Sequence, residues 1–326
     1  MGPCRPTLYG NFRCASVTAS KSSPSGHFSP LRYPGGKGKL ATFVAKVICD
    51  NGLQDGLYVE PYAGGAAVAF ELLMTGVVRR VAINDLNRPI FAFWRAVLDD
   101  TAALVDLVRT TEVTMAVRDR AKRIFTESTG TGLELAFATF FLNRTNRSGI
   151  LNGGPIGGVD QTGAWKLDAR YNKEALIERI EKIARMRKYM SLTNLDAIVF
   201  LNTAALQWRK NTLVYLDPPY YDKGRDLYYN FYQHNDHANV AFATHNLCDV
   251  KWIVSYDDVE PIHSLYQQAS CLRYTIGYSA RERSRGAEAM FFSPGLTIPP
   301  VQGSMVEFYR SGEKADDDLR ARSDSY

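Results

Sequence analysis

No run of about 18 consecutive apolar residues, the least that carries a helix across a bilayer, occurs in this chain of 326 residues. That argues against a helical membrane protein. Cysteine is scarce: Cys4, Cys14, Cys49, Cys248 and Cys271 form no close-spaced pair and are odd in number. A disulfide framework and a Cys-based structural zinc site are both disfavoured. The basic flank and apolar stretch of a secretory signal are missing from the N-terminus, so the expected location is cytoplasmic. Neither sign of charge dominates, with a formal net of +5.

What is present is a regular alternation of strands and helices. Residues 1–28 are rich in Ser, Pro, Gly and Thr and read as a flexible arm. Strand-like Gly56–Glu60, a glycine turn, an apolar helix through Leu73, strand-like Arg80–Asn84 and helical periodicity over Arg88–Val108 follow. Strand, helix, strand, helix predicts a parallel αβ unit. Residues 112–190 break the pattern with helical segments Val113–Phe125, Glu134–Leu142 and Lys173–Tyr189 around a loop dense in Gly and Asn. The pattern resumes with Thr212–Leu216, a helix over Asn235–Cys248 and Lys251–Ser255. Hairpin strands are expected at Cys271–Tyr278 and Met305–Tyr309, with Gly286–Gly303 as a mobile loop. The expected organisation is an α/β, Rossmann-like body of residues 29–111 and 191–312, a mainly helical insertion of 112–190, and a disordered tail of 313–326.

The insertion concentrates the charge. Residues 113–190 carry 14 Lys or Arg against 8 Asp or Glu, a net of +6, so the rest of the chain is at −1. Such a block is either a solvated helical face or a phosphate-facing surface.

Two stretches carry chemistry. In Glu60-Pro-Tyr-Ala-Gly-Gly65 a strand passes into a helix, and Asp85 ends the next strand. A tight turn before a core helix has this form, and so does a nucleotide-like site in which glycines admit close approach and the acid binds ribose hydroxyls. Glu60 at the mouth repels a pyrophosphate and suits a cation. S-adenosylmethionine, with an ammonium and a sulfonium, fits, and Tyr33 or Tyr62 could face its positive end. The second stretch is Asp217-Pro-Pro-Tyr220, directly after an apolar strand. Two prolines end the strand, so the Asp217 carboxylate and the Pro218 carbonyl project together. Two acceptors on an aromatic amino group draw its nitrogen toward tetrahedral geometry and free its lone pair for in-line attack on a sulfonium methyl. Tyr220 offers a face on which an extruded base stacks.

Together with Arg32-Tyr33-Pro-Gly-Gly-Lys37, Ile83-Asn-Asp85, Asp236-His237 and Trp252-Ile-Val-Ser-Tyr256, these stretches resemble the Dam-like family of adenine-specific DNA methyltransferases over roughly residues 30–310. The resemblance implies an S-adenosylmethionine-dependent methyltransferase sheet, with Tyr33, Lys37, Asp85 and Asp217 contacting the cofactor and Asp217 also holding the target amino group. Glu60 and Gly64 belong to the same expected cofactor site. It implies that the insertion recognises double-stranded DNA, through a loop at Asn143–Gly149 and the Gly-rich run to Gly158 that enters the duplex, where Arg144, Asn146 and Arg147 reach phosphates or base edges. The family allows for a cognate restriction endonuclease and leaves the oligomeric state open. This chain departs from the family pattern in having Tyr62 where phenylalanine is frequent, and Ala66 or Ala67 where a third glycine is. His234 and His237 are spaced like a metal pair, but in the family an Asp-His pair opens a helix after the catalytic loop, and no metal is expected.

The same amino-group geometry serves RNA adenine or a protein amide, although amide-modifying relatives usually carry asparagine at the place of Asp217. A non-catalytic DNA-binding protein on this fold would have lost a catalytic acid or glycine, and Lys37, Asp85, Asp217 and Tyr220 are all present.

Overall fold

The computed structural model describes residues 28–32, 40–127, 130–208, 210–222, 232–247, 249–276, 287–301 and 305–310. Residues 1–27 of the expected arm, Tyr33, Lys37 and the expected tail lie outside the described residues.

The described strands are β1 (Leu57–Glu60), β2 (Arg80–Asn84), β3 (Met190–Thr193), β4 (Thr212–Leu216), β5 (Lys251–Asp257), β6 (Ser270–Ile276), β7 (Ala287–Phe292) and β8 (Met305–Arg310). They form one sheet in the order β3-β2-β1-β4-β5-β7-β6-β8. The first five in that order run parallel, and β7 is antiparallel to both β5 and β6. The chain leaves β1 toward β2 and β3, then returns on the other side of β1 to β4. This is a Rossmann-like sheet with its switch point between β1 and β4, where the carboxyl ends of the strands open a crevice.

Helices are α1 (Ala41–Asp50), α2 (Ala67–Met74), α3 (Arg88–Asp99), α4 (Thr101–Thr110), α5 (Met115–Glu127), α6 (Gly132–Thr145), α7 (Lys173–Arg185), α8 (Ala197–Ala204), α9 (His234–His245) and α10 (Glu260–Leu265). Their starts are written locally. Asn87 accepts from the Ile90 N–H at the head of α3, Thr131 and Glu134 form a reciprocal capping box on α6, and Asn172 accepts from Ala175 on α7; a cap of this kind is worth about 1 kcal/mol. Strand alternation then sorts the core. Tyr58, Ile83, Leu213, Tyr215 and Ile253 face the layer containing α1 to α7. Val59, Ala82, Val214, Leu216 and Val254 face α8, α9 and α10. Among the described residues no helix is long and apolar enough to cross a membrane.

One sequence expectation changes. Gly286–Gly303 is not one loop, because β7 runs through it between two antiparallel neighbours. Its run Ala-Glu-Ala-Met-Phe-Phe is buried at nearly every position, so the period-2 contrast that marks a half-exposed strand is absent. β3 begins at Met190, just past the helical segment expected over Lys173–Tyr189, and was not assigned from the sequence because it is short and only partly buried. The segment 112–190 packs on the helices before it: α6 on α3 and α7 on α4. Phe140 stacks on Phe93 with ring centroids 5.6 Å apart and planes 5° from parallel, and Tyr171 closes against Phe140 and Phe141.

If this segment shares the core, Phe140→Ala should lower the stability of the whole chain by about 3–5 kcal/mol in one cooperative denaturant transition. Two separate transitions, with only the weaker one shifted, would mean that the segment folds independently.

Candidate functional site

Strand register aligns the site. Val59 pairs with Ala82 on one side and Val214 on the other, so three residues further along, Asp85, Tyr62 and Asp217 stand at one level. Leu216 pairs with Val254, which brings Ser255 to the same level on β5. β1 lies between β2 and β4, so two strand spacings of about 4.8 Å separate the strands that Asp85 and Asp217 follow.

On the β2 side, Gly64 is held at both of its backbone groups. Its N–H donates to Asp85 Oδ2 at 2.7 Å, and its carbonyl accepts from Trp94 Nε1 at 2.8 Å. Trp94 is fully buried in the core and also sets this turn. Asp85 Oδ1 accepts from the Asn87 N–H at 2.8 Å. Burial pushes the Asp85 carboxyl up to about 6, against the opposing pull of the Asn87 and Gly64 N–H groups. Asn84 beneath it spends its whole hydrogen-bonding capacity: Nδ2 donates to Pro61 O and Leu195 O, and Oδ1 accepts from Thr193 Oγ1 and Leu195 N. The ends of β1, β2 and β3 are thereby tied together.

Glu60 is set back from the mouth of this turn. It is buried, and its Oε1 accepts from the Ala69 N–H at 3.1 Å. Ala66, the N-cap of α2, has no capping side chain and a left-handed φ of 46°. Glu60 therefore supplies from β1 the anionic cap that α2 lacks. Ala66 occupies a conformation that glycine adopts without strain, which accounts for a glycine at this place in the family pattern.

On the β4 side, Asp217 Oδ1 accepts from Ser255 Oγ at 2.9 Å, and Ser255 Oγ lies 2.9 Å from Tyr215 OH. Ser255 donates to the carboxylate, so the tyrosine donates to the serine, and Asp217 is oriented by a short buried relay. Pro218 and Tyr220, next along the chain, are buried. Asp257, at the end of β5 and 2% exposed, accepts from the Tyr221 and Asp222 N–H groups at 2.8 and 2.9 Å. One carboxylate pins the chain just beyond the Asp-Pro-Pro-Tyr stretch. Asp236 accepts from the Gln233 N–H at the head of α9. His237 is buried, bonded through Nδ1 to Tyr256 OH, and ringed by Tyr221, Tyr232 and Tyr256. Burial lowers its pKa, and the imidazole serves the packing of this loop. Ser255, Asp257 and Trp94 had no assigned role in the sequence; Ser255 lay within a quoted stretch and Asp257 one residue past it.

The three residues expected to meet DNA are placed differently from one another. Arg147 is exposed. Asn146 is fully buried: Oδ1 accepts from Arg118 Nε, and Nδ2 donates to Ile150 O and Leu151 O. Its side chain is bonded within the loop rather than turned to solvent. Arg144 donates to Arg170 O at 2.8 Å and to Pro30 O at 3.4 Å. Burial first, then the charges of Arg32, Arg179 and Arg170, push its pKa down to about 9. Gly149, at φ 78°, passes so close to Arg32 that a Cβ would sit 2.6 Å from its carbonyl oxygen. Ser29 Oγ in turn donates to Gly65 O at 2.6 Å. Segment 29–32 thus links the arginine cluster to the glycine turn.

The sequence model of one family, described as D12 class N6 adenine-specific DNA methyltransferase, matches residues 33–278. No curated protein matches the chain. Among solved structures, a protein from Legionella pneumophila is 12% identical over 82% of this chain and 88% of its own, with a TM-score of 0.32. A putative class I S-adenosylmethionine-dependent methyltransferase from Listeria monocytogenes is 9% identical over 80% of this chain and 62% of its own, with a TM-score of 0.35.

Replacing Asp257 with alanine should deprotect the Tyr221 and Asp222 amides in hydrogen exchange and lower stability by about 1–3 kcal/mol for each donor left buried and unpaired. Unchanged protection at those two amides would mean that something other than Asp257 holds the loop.

Proposed function

The chain belongs to the D12 class of N6 adenine-specific DNA methyltransferases, and from that premise we propose that it transfers a methyl group from S-adenosylmethionine to the N6 amino group of an adenine extruded from duplex DNA. The observation that carries this reading is the single level, set by register, at which Asp85 and Asp217 flank the switch point of the sheet.

The donor set fits the cofactor. Asp85 presents a carboxylate for the ribose hydroxyls beside a glycine turn whose amide and carbonyl are already fixed. Tyr62 adds an aromatic face. Tyr33 and Lys37 complete the expected contacts. Glu60 supports the turn from behind by capping α2. The bound cofactor supplies an electrophilic methyl on a sulfonium.

The remaining steps belong to the protein. Asp217, oriented by Ser255, and the Pro218 carbonyl accept the two amino hydrogens of adenine. The nitrogen pyramidalises, its electron pair forms the new N–C bond as the C–S bond would break to leave a neutral thioether, and the now cationic nitrogen releases one of those two hydrogens as a proton to solvent water. Tyr220 stacks on the extruded base. Preorganised acceptors make this chiefly a matter of positioning and electrostatics. Arg144 and Arg147 face the phosphates, and Arg144 is suited to an anion because the charges nearest it are those of other arginines.

Labelled methyl transfer to duplex DNA, RNA and protein in parallel, followed by nucleoside analysis, tests the reading. N6-methyladenine is expected in DNA alone and should vanish with Asp217→Ala, while cofactor binding weakens only in part. Label confined to RNA or protein, or an active Asp217→Ala variant, would sink it. A second expectation follows from Asp85. The ionised form is the stronger acceptor, so cofactor affinity should rise as pH increases through about 6, and Asp85→Asn should bind more weakly with that dependence gone. A pH-independent affinity in the parent enzyme would remove Asp85 from the ribose site.

A further inference from the structure

The loop after α6 is closely braced and carries exposed apolar side chains. Both ends of it are anchored: Asn146 bridges Pro155, Ile156 N donates to Thr145 O, and Leu167 and Tyr171 are buried. Gln161 stitches the interior, its Nε2 donating to Ile156 O and Gly158 O and its Oε1 accepting from Leu167 N. Gly157, at φ 87°, lets the chain double back so closely that a Cβ there would lie 2.7 Å from Trp165 O. On this scaffold Trp165 is 67% exposed and Val159 73% exposed.

An indole held in water on a braced loop is costly unless something covers it. Of the large apolar side chains exposed among the described residues, Leu86, Leu195, Val199, Leu206 and Phe242 lie outside the basic segment 113–190, and Val159 and Trp165 lie inside it. The charge around the indole points to the occupant. The Arg170 guanidinium sits 5.8 Å from the ring centroid, and Lys166 is the next residue. Arg170 O receives Arg144, Arg144 also reaches Pro30, and Ser29 reaches Gly65 of the cofactor turn. A flat, largely exposed ring with a guanidinium over one face and its other face open matches a base pair that stacks on the open face while the cation turns to a phosphate. The expected probing loop, by contrast, has Asn143, Asn146 and Gly149 buried and offers no apolar side chain at its exposed positions.

We propose that Trp165 is the side chain this enzyme inserts into the duplex, stacking on the base pairs beside the target and occupying the gap the adenine leaves. The inference rests on the reading that the target is an adenine extruded from duplex DNA. Apolar wedges at opened base steps and aromatic stacking on bases are general devices of nucleic-acid proteins. Arg170 and Lys166 neutralise the phosphates flanking the opened step.

The test uses the full chain. The wild type first methylates plasmid DNA, and the modified positions are mapped; 2-aminopurine then replaces the target adenine in an oligonucleotide duplex. Trp165→Ala should lose the fluorescence rise that reports extrusion and should methylate the matched duplex about 5- to 150-fold more slowly, the range expected for one lost stacking contact. Trp165→Phe should restore most of both. Removing the base opposite the target, which weakens the stack in advance, should return Trp165→Ala to near wild-type rate, with cofactor affinity and circular dichroism unchanged throughout. A Trp165→Ala enzyme that extrudes and methylates the matched duplex like the wild type overturns the inference alone. So does a loss that is equal on matched and opened substrates, which would make Trp165 a docking contact. A wild type that leaves no methyl on DNA adenine overturns the underlying reading, and this inference with it.

Discussion

The pairing of β1 with β2 on one side and β4 on the other governs this molecule. Parallel pairing fixes register on both sides at once, so the residues that follow three strands emerge at one height. A slip of one residue in either pairing would turn a carboxylate from the crevice into the core. The buried faces prevent that slip: Tyr58, Val59, Leu213 and Val214 alternate between two separate hydrophobic layers, and no shifted register keeps both satisfied.

Around that frame, polar groups are arranged so that the residues expected to touch ligands are each held by others that do not. Asp85 depends on Asn84 and the turn at Gly64, Asp217 on Ser255 and Tyr215, and the chain after Tyr220 on Asp257. Every one of these partners is buried or nearly so, where a hydrogen bond is strong and a missing one is expensive. The same rule extends to the basic segment, where Asn143 and Asn146 spend their amides on backbone.

Much of this was legible in the chain. β1, β2 and β4 stand out because apolar runs end abruptly in Gly-Gly, Asn-Asp and Pro-Pro, and the chemistry sits at those breaks. The roles of Asn146, Trp94 and Asp257 were not legible, because an asparagine, tryptophan or aspartate reads the same whether it faces solvent, core or ligand, and only tertiary contacts decide. Asn146 in particular carries a side chain suited to base edges, and its burial under Arg118 depends on α5 lying across the loop. β7 was missed for the opposite reason: complete burial erased its alternation.

The antiparallel insertion of β7 has a consequence for how the protein comes into being. β5 carries Ser255 and Asp257, yet the strand that closes its outer edge begins at Ala287, thirty positions after Asp257. On a ribosome delivering residues in order, β5 leaves the exit with that edge open, a row of unpaired amides and carbonyls beside an apolar face. Until Ala287–Phe292 arrives, nascent chains share the same vacant edge and can pair with one another through it. The strand that carries Ser255 and Asp257 thus waits for chain made well after it before its edge is sealed, and β6 waits longer still, for Met305–Arg310.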